Sequence, residues 1–316
     1  MARRSRAGGQ RLSIAGVVAP LVTLGLLILF WRLGRKWLAI PVVVAGVLFY
    51  LLIPRLVRAR LSRFHKRALL LISSGRAAEV PALARRSLLL QLFAPSAPID
   101  AKIGLALAQI GAYSRATPHL ENALTAAAAA ERPALQAALV KALFVAGDPA
   151  RAETEGLELL DSGPRLPEVL AIVARSRVGL SRLDDRTRAL LDEAERAATS
   201  DDIRLMAALT RIEIALATGG GPAEIPAGAD SSQAFLRVWI HLVRGRLREH
   251  RGDTKGAVES YARAAREEAG QFCWFSAQAH ERLGQLASTL EPALSGSGAP
   301  DTGLDPSMRR KRKRRR

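Results

Sequence analysis

The distribution of charge along the chain is the feature that most constrains its fold. None of the first 78 residues is acidic, and Glu79 is the first acid. Two stretches without a charged residue, Leu12–Trp31 and Trp37–Ile53, lie before it. Residues 68–308 contain 26 of the 47 Lys and Arg residues and all 29 Asp and Glu residues. The net charge of +18 therefore comes from the two ends, and the middle is near −3. The sequence predicts membrane spans, a near-neutral domain and a basic tail.

The two uncharged stretches predict a membrane hairpin over residues 1–57. Leu12–Trp31 has twenty residues, enough for a helix to cross a hydrocarbon core of about 30 Å. Trp37–Ile53 has seventeen, which suffices if flanking arginines extend to the headgroups. A cleaved signal peptide is disfavoured, because no small-residue cleavage motif follows Trp31. The flanks of the hairpin carry four and six basic residues against three in its turn, so the positive-inside rule predicts a cytoplasmic N-terminus and a cytoplasmic soluble domain.

Residues 58–290 have the pattern of packed helices, with apolar residues at steps of three and four. Two sets of residues follow one another at steps of 7, 5, 4 and 3: Gly104, Gly111, Ala116, Leu120 and Ala123, then Gly245, Gly252, Ala257, Tyr261 and Ala264. The small residues predict close contact between two antiparallel helices, and the large residue is expected to fill the gap between pairs. The second glycine of each set is expected to end the first helix.

This spacing resembles the tetratricopeptide repeat family, whose period is near 34 residues. The best-matching stretches are Ile103–Leu124 and Gly245–Ala265. The resemblance implies an all-α fold, in which the membrane hairpin is followed by an α-solenoid of about six helix pairs. Further glycines that we expect at successive helix ends are Gly147, Gly179 and Gly219. A loop at residues 218–232 stands where a second helix is expected, and we expect it to interrupt or hinge the stack.

The order of parts also resembles the HemY family of bacterial inner-membrane proteins, chiefly over Arg58–Arg86. That resemblance implies a location in the bacterial inner (plasma) membrane. It also implies a regulatory role, in which the repeats hold an enzyme at the membrane.

The sequence predicts neither an enzyme nor a cofactor or metal site. Cys273 is the single cysteine, which excludes a disulfide or a cysteine-based metal site within one chain. The histidines lack the spacing that places two imidazoles on one helical face. Gly219–Pro222 lacks the Lys-Ser/Thr of a phosphate-binding loop.

The function that we expect is docking of a protein or peptide on a concave face. In the repeat family, the first helix of each pair lines that face. Carried onto this sequence, the groove candidates are Trp239, Leu242, Arg246 and Glu249 from one pair, and Ala101, Leu105 and Ala108 from another. Trp239 and Leu242 fit a buried core equally well.

Residues 291–316 are predicted to be a disordered tail, because Pro292–Pro306 has little apolar content. The tail ends in a basic run, Arg309, Arg310, Lys311, Arg312, Lys313, Arg314, Arg315 and Arg316. Three roles remain open for it: contact with anionic lipid headgroups, contact with nucleic acid or ribosomal phosphates, or solvation alone. Binding to nucleic-acid phosphates should weaken steeply as salt rises, whereas peptide docking in the groove should not, so the salt dependence of binding distinguishes the two.

Overall fold

The structure is a computed structural model that describes residues 39–220, 224–267 and 273–296, together with residues 24, 25, 28 and 32. Within these residues the secondary structure is helical, without a strand, which confirms the all-α prediction. The predicted span Leu12–Trp31 lies outside the described residues except at positions 24, 25 and 28, which are helical. The predicted disordered tail begins too early, because residues 291–296 belong to the last described helix. The rest of the tail, with the basic run Arg309–Arg316, lies outside the described residues.

The first long helix, α1, runs from Ala39 to Ser73 without a break at Pro54. Its 35 residues correspond to about 52 Å of helix. It contains nearly all of the second predicted span and the basic segment after it. In the described part of the chain, it is the one helix long and apolar enough to cross a membrane, by length and composition. The partner span of the hairpin remains a prediction from sequence.

A 3₁₀ turn, Ala77–Glu79, and twelve further α-helices follow within the described residues. They are α2 (Val80–Arg85), α3 (Leu88–Phe93), α4 (Ser96–Gln109), α5 (Tyr113–Thr125), α6 (Arg132–Ala146), α7 (Pro149–Ser162), α8 (Pro167–Gly179), α9 (Asp185–Arg196), α10 (Asp201–Ala217), α11 (Ala234–His250), α12 (Thr254–Glu267) and α13 (Trp274–Gly296).

These helices pack in a row. The two helices of each predicted pair are in contact in the described chain: α4 with α5, α6 with α7, α8 with α9, and α11 with α12. The helix that opens each repeat, called its first helix below, contacts the first helix of the next repeat. These contacts run in the order α4, α6, α8, α10, α11 and α13. The last of these, α13, additionally returns to α6.

A left-handed residue marks the end of each first helix up to α11. These residues are Gly75, Gly111, Gly147, Ser181, Gly219 and Gly252. In every case the next backbone N–H donates to the carbonyl five residues before it, at 2.8–2.9 Å. This bond is the helix-ending arrangement that left-handed residues provide. The expected marker Gly179 is therefore wrong by two residues, because Ser181, with φ of +60°, ends α8.

The predicted contacts between small and large residues occur within pairs. A Cβ added to Gly104 would lie 2.8 Å from the Leu120 side chain, and one added to Gly245 would overlap the Tyr261 ring. The four alanines of the two sets, at positions 116, 123, 257 and 264, are buried. Leu120 and Tyr261 thus pack directly on the glycine of their own pair. Whether they also fill the space between neighbouring pairs stays a prediction.

The predicted loop 218–232 corresponds to the connection between α10 and α11. Residues 224–233 contain no helix, and Asp202 of α10 binds the end of this segment. Its carboxylate accepts hydrogen bonds from Ser231 Oγ and Gln233 Nε2, both at 2.7 Å. Lys141 Nζ of α6 donates to Gln233 Oε1 at 2.7 Å. These bonds fasten the start of α11 to α6 and α10, which does not favour a free hinge.

Candidate partner-binding groove

An open groove of about 720 Å³ lies between α10, α11 and α13. These are three neighbouring first helices, the row that the repeat resemblance assigns to the concave face. Its walls include Ala217, Arg246, Glu249, Gln278, Glu281 and Arg282. The side chains therefore come from residues more than sixty positions apart in sequence, brought together by the stacking.

The structure divides the predicted groove residues into two groups. Arg246 and Glu249 line the groove. Trp239 and Leu242 are fully buried in the core, so neither presents a surface to a partner. The Trp239 ring stacks on Phe275 of α13, with centroids 4.9 Å apart and planes 7° apart.

The candidates from α4 lie elsewhere. Ala101, Leu105 and Ala108 are half-buried and pack against the hydrophobic core. They do not belong to the groove between α10, α11 and α13. The structure therefore does not join the two predicted sets into one surface.

The beginning of α13 explains why Trp239 and Leu242 are buried. Phe275 contacts Phe144 of α6 as well as Trp239, with a centroid distance of 5.5 Å to Phe144. Trp274 lies against two helix ends, and a Cβ on Gly179 would lie 2.8 Å from its ring. The aromatic pair of α13 thus occupies the inner side of the row at α6 and α8, and the groove opens beyond it.

An ion pair that the sequence did not reveal includes Glu213, which lines the groove, and Arg175 behind it. Arg175 of α8 and Glu213 of α10 are 3% and 4% exposed. Arg175 Nη2 donates to Glu213 Oε1 at 3.1 Å, and Trp239 Nε1 donates to Glu213 Oε2 at 3.3 Å. Arg246 also donates to Glu213 from the groove side. Burial lowers the pKa of the Arg175 guanidinium, and the Glu213 carboxylate opposes that shift.

Aromatic rings surround the buried guanidinium. The Arg175 Cζ lies 5.2 Å from the Trp274 ring centroid and 5.6 Å from that of Trp239. The negative faces of such rings stabilise a cation that has lost its water. The start of α13 and the ion pair therefore depend on each other.

Polar bonds fix the wall of the groove between α11 and α13. Arg246 Nη2 donates to Gln278 Oε1 and Arg282 Nη2 donates to Glu249 Oε1, both at 2.8 Å. Tyr261 OH donates to Glu249 Oε2 at 2.7 Å. Burial, and then this bond to Glu249, raise the pKa of the Tyr261 hydroxyl. The wall is consequently a preformed row of alternating charges.

Other polar clusters lie away from the groove. Arg177 of α8 donates to Glu153 Oε1 at 2.6 Å and to Asp184 at the start of α9. His119 Nδ1 lies 2.7 Å from Asp100 Oδ1 on the α4–α5 pair. Among the described residues, no group of three or more His, Cys, Asp or Glu side chains is placed to hold a metal ion.

No family model, curated protein or solved structure matches this chain. The resemblance to tetratricopeptide repeats therefore stays a prediction from residue spacing, and the resemblance to the HemY family stays a prediction from the order of parts.

Proposed function

We propose that this protein is a membrane-anchored scaffold that binds a protein or peptide partner in the groove between α10, α11 and α13. The observation that carries the proposal is the groove itself, about 720 Å³ and open along three neighbouring first helices. An extended or helical peptide could lie along such a row and contact each helix in turn.

The fixed side chains of the wall support recognition of a polar segment. Arg246, Glu249 and Arg282 already have their positions set by bonds within the protein. A partner that adds hydrogen bonds to them pays little ordering entropy on this side of the interface. The exposed Glu281 and Ala217 at the rim leave room for side chains of the partner.

The anchor in this proposal is α1, entering the bacterial inner membrane with the repeats on the cytoplasmic side. The basic segment after residue 54 supports this orientation through the positive-inside rule. If the layout shared with the HemY family extends to function, the partner is an enzyme that the repeats hold at the membrane. The protein itself then acts by binding and not by catalysis.

Photo-crosslinking from the wall of the groove tests the proposal. A photoreactive amino acid replaces Glu281 in the full-length protein, and in a control it replaces Glu259, an exposed residue of α12. We expect a discrete crosslinked partner from position 281 only. Glu281→Lys should abolish its capture, and Glu259→Lys should not. Equal crosslinking at both positions, or capture insensitive to Glu281→Lys, would place the partner on another surface.

A further inference from the structure

The exposed large apolar side chains are confined to the beginning of the chain. In the described residues, all of them lie at or before position 92, although the described chain continues to 296. Most belong to the two predicted membrane spans. Leu88 and Leu92 do not: they lie on α3 and are 71% and 58% exposed. Leu69 and Leu70, near the end of α1, are also exposed.

The short helix α3 is apolar on its exposed face as well as on its buried face. Leu88 and Leu92 are four residues apart and therefore share one face. Leu90 is buried at 3% exposure and holds the opposite face against the protein. Two neighbouring leucines facing outward on a helix of six residues have no role in the core.

Positive charge accompanies these leucines. Residues 54–93 contain nine basic residues and one acid, Glu79. All nine basic side chains are exposed. Arg85 and Arg86 directly precede α3, and the others lie on α1 or in the turn after it. A surface that combines exposed leucines with such a charge complements an anionic bilayer.

The chain folds back along α1 after Gly75, which has a φ of +76° and ends that helix, so that α2 and α3 both contact α1. The 3₁₀ turn, α2 and α3 provide about 24 Å of helical path, against roughly 30 Å of α1 between Ile53 and Ser73. The returning segment is therefore long enough to cover most of the distance from the end of α1 to its predicted span.

We propose that α3 lies in the headgroup region of the anionic bilayer that α1 enters, with Leu88 and Leu92 buried among the lipids. The basic side chains of residues 55–86 contact the lipid phosphates around it. This inference rests on the proposed membrane anchorage. It adds a second contact, which fixes the repeats close to the membrane surface and limits their rotation about α1.

A polarity-sensitive fluorophore at position 92 tests the contact in the full-length protein. Cys273→Ala removes the single cysteine, and Leu92→Cys introduces the labelling site. Lys255→Cys, exposed at the start of α12, provides the matched control. Both proteins are reconstituted into vesicles containing phosphatidylglycerol, with lipids that carry a quencher near the headgroup. We expect several-fold stronger quenching and a blue-shifted emission at position 92 relative to position 255.

Three outcomes would overturn the proposal. Equal quenching at both positions would show that α3 faces water. A label at position 92 that is shielded from aqueous iodide but not quenched by the lipids would show that protein covers it. Quenching that is the same in purely zwitterionic vesicles would remove the role of the basic residues.

Two further measurements keep the test decisive. Leu88→Cys provides a second site if the label at position 92 disturbs the fold. Retaining the native Cys273, which is buried at 6% exposure, provides a second background. Membrane extraction by alkaline carbonate distinguishes a failure of this inference from a failure of the proposed anchorage. A protein that stays in the membrane while α3 faces water contradicts this inference alone. A released protein contradicts the anchorage as well.

Discussion

At the scale of single residues, the buried pair of Arg175 and Glu213 is the most demanding feature of the molecule. Taking two charges out of water costs several kcal/mol per ion, and attraction between them offsets this cost only with good geometry and additional hydrogen bonds. Here Trp239 and Arg246 donate to the same carboxylate, and the rings of α13 cover the guanidinium, whose Nε is buried without a hydrogen-bond partner. The pair therefore ties α8, α10, α11 and α13 together at one point.

Removing one partner of this pair should be strongly destabilising. We expect Glu213→Gln to lower the free energy of unfolding by about 3–5 kcal/mol, because Arg175 would remain buried without its counter-charge. Urea unfolding measures the change. The control is Glu193→Gln, which breaks the surface pair with Arg165 and should cost less than about 1 kcal/mol. Equal effects in the two variants would mean that water reaches Arg175 in the folded state.

The close contact between Gly245 and Tyr261 leads to a second prediction. A methyl group at position 245 would overlap the Tyr261 ring, which is fully buried and fixed by its bond to Glu249. Overpacking of about 1–3 kcal/mol should outweigh the gain of about 1 kcal/mol in helix propensity. We therefore expect Gly245→Ala to lower the melting temperature.

Gly284→Ala is the matched control for this substitution. Gly284 lies within α13, and no atom lies within 4 Å of the Cβ position. The same change there should raise the melting temperature, since only helix propensity acts. A rise in both variants would show that the α11–α12 pair is looser than described.

At the scale of elements, the repeat is defined by how each first helix ends. The left-handed residues that end these helices recur at intervals of 36, 36, 34, 38 and 33 residues from Gly75 to Gly252, and Gly228, also left-handed, lies in the loop before α11. Glycine adopts this conformation without strain, whereas another residue costs about 1–2 kcal/mol. Ser181 holds the position that glycine holds in the other copies.

Replacing Ser181, which ends α8, with glycine should therefore increase the stability of the protein. We expect Ser181→Gly to stabilise the protein by about 1 kcal/mol, because it removes the strain of a side chain at φ of +60°. Gly252→Ala is the converse test, since its φ is +78° and the space around it is open. It should destabilise the protein by a similar amount. Thermal unfolding of both variants measures the two shifts, and shifts of equal sign would contradict the argument.

The helix ends and the contacts between helices show which features of the fold a sequence pattern predicts and which it misses. Gly111, Gly147, Gly219 and Gly252 were identifiable because a local turn requires glycine. Gly179 was misassigned, because it makes room for Trp274, a residue 95 positions away that no local pattern connects to it. Arg175 and Glu213 were missed for the same reason: in sequence each resembles a charge on the exposed face of a helix. Trp239 was ambiguous until the return of α13 was known.

At the scale of the whole molecule, α1 contributes to both the candidate membrane anchor and the repeat stack. Its first half is the candidate membrane span, and its second half packs on the repeats through Phe64 and Ala68. Gly75 ends α1 as the other left-handed residues end the later first helices, so α1 is also the first helix of the first repeat. A continuous helix thus joins the candidate membrane span to the stack, and the predicted domain boundary after residue 57 falls within it.

Truncation at two points separates these parts. A chain that begins at Pro54 should keep the helical content and cooperative unfolding of the repeats, because the packed half of α1 is retained. A chain that begins at Arg76 should be less stable by at least about 3 kcal/mol, since losing the burial of Phe64 alone is worth about 3–5 kcal/mol. Phe64→Ala in the longer chain measures that single contribution, and circular dichroism with urea unfolding compares all three. If the two truncated chains were equally stable, α1 would be a tether that merely adjoins the repeats. The link between the membrane and the orientation of the groove would then be flexible.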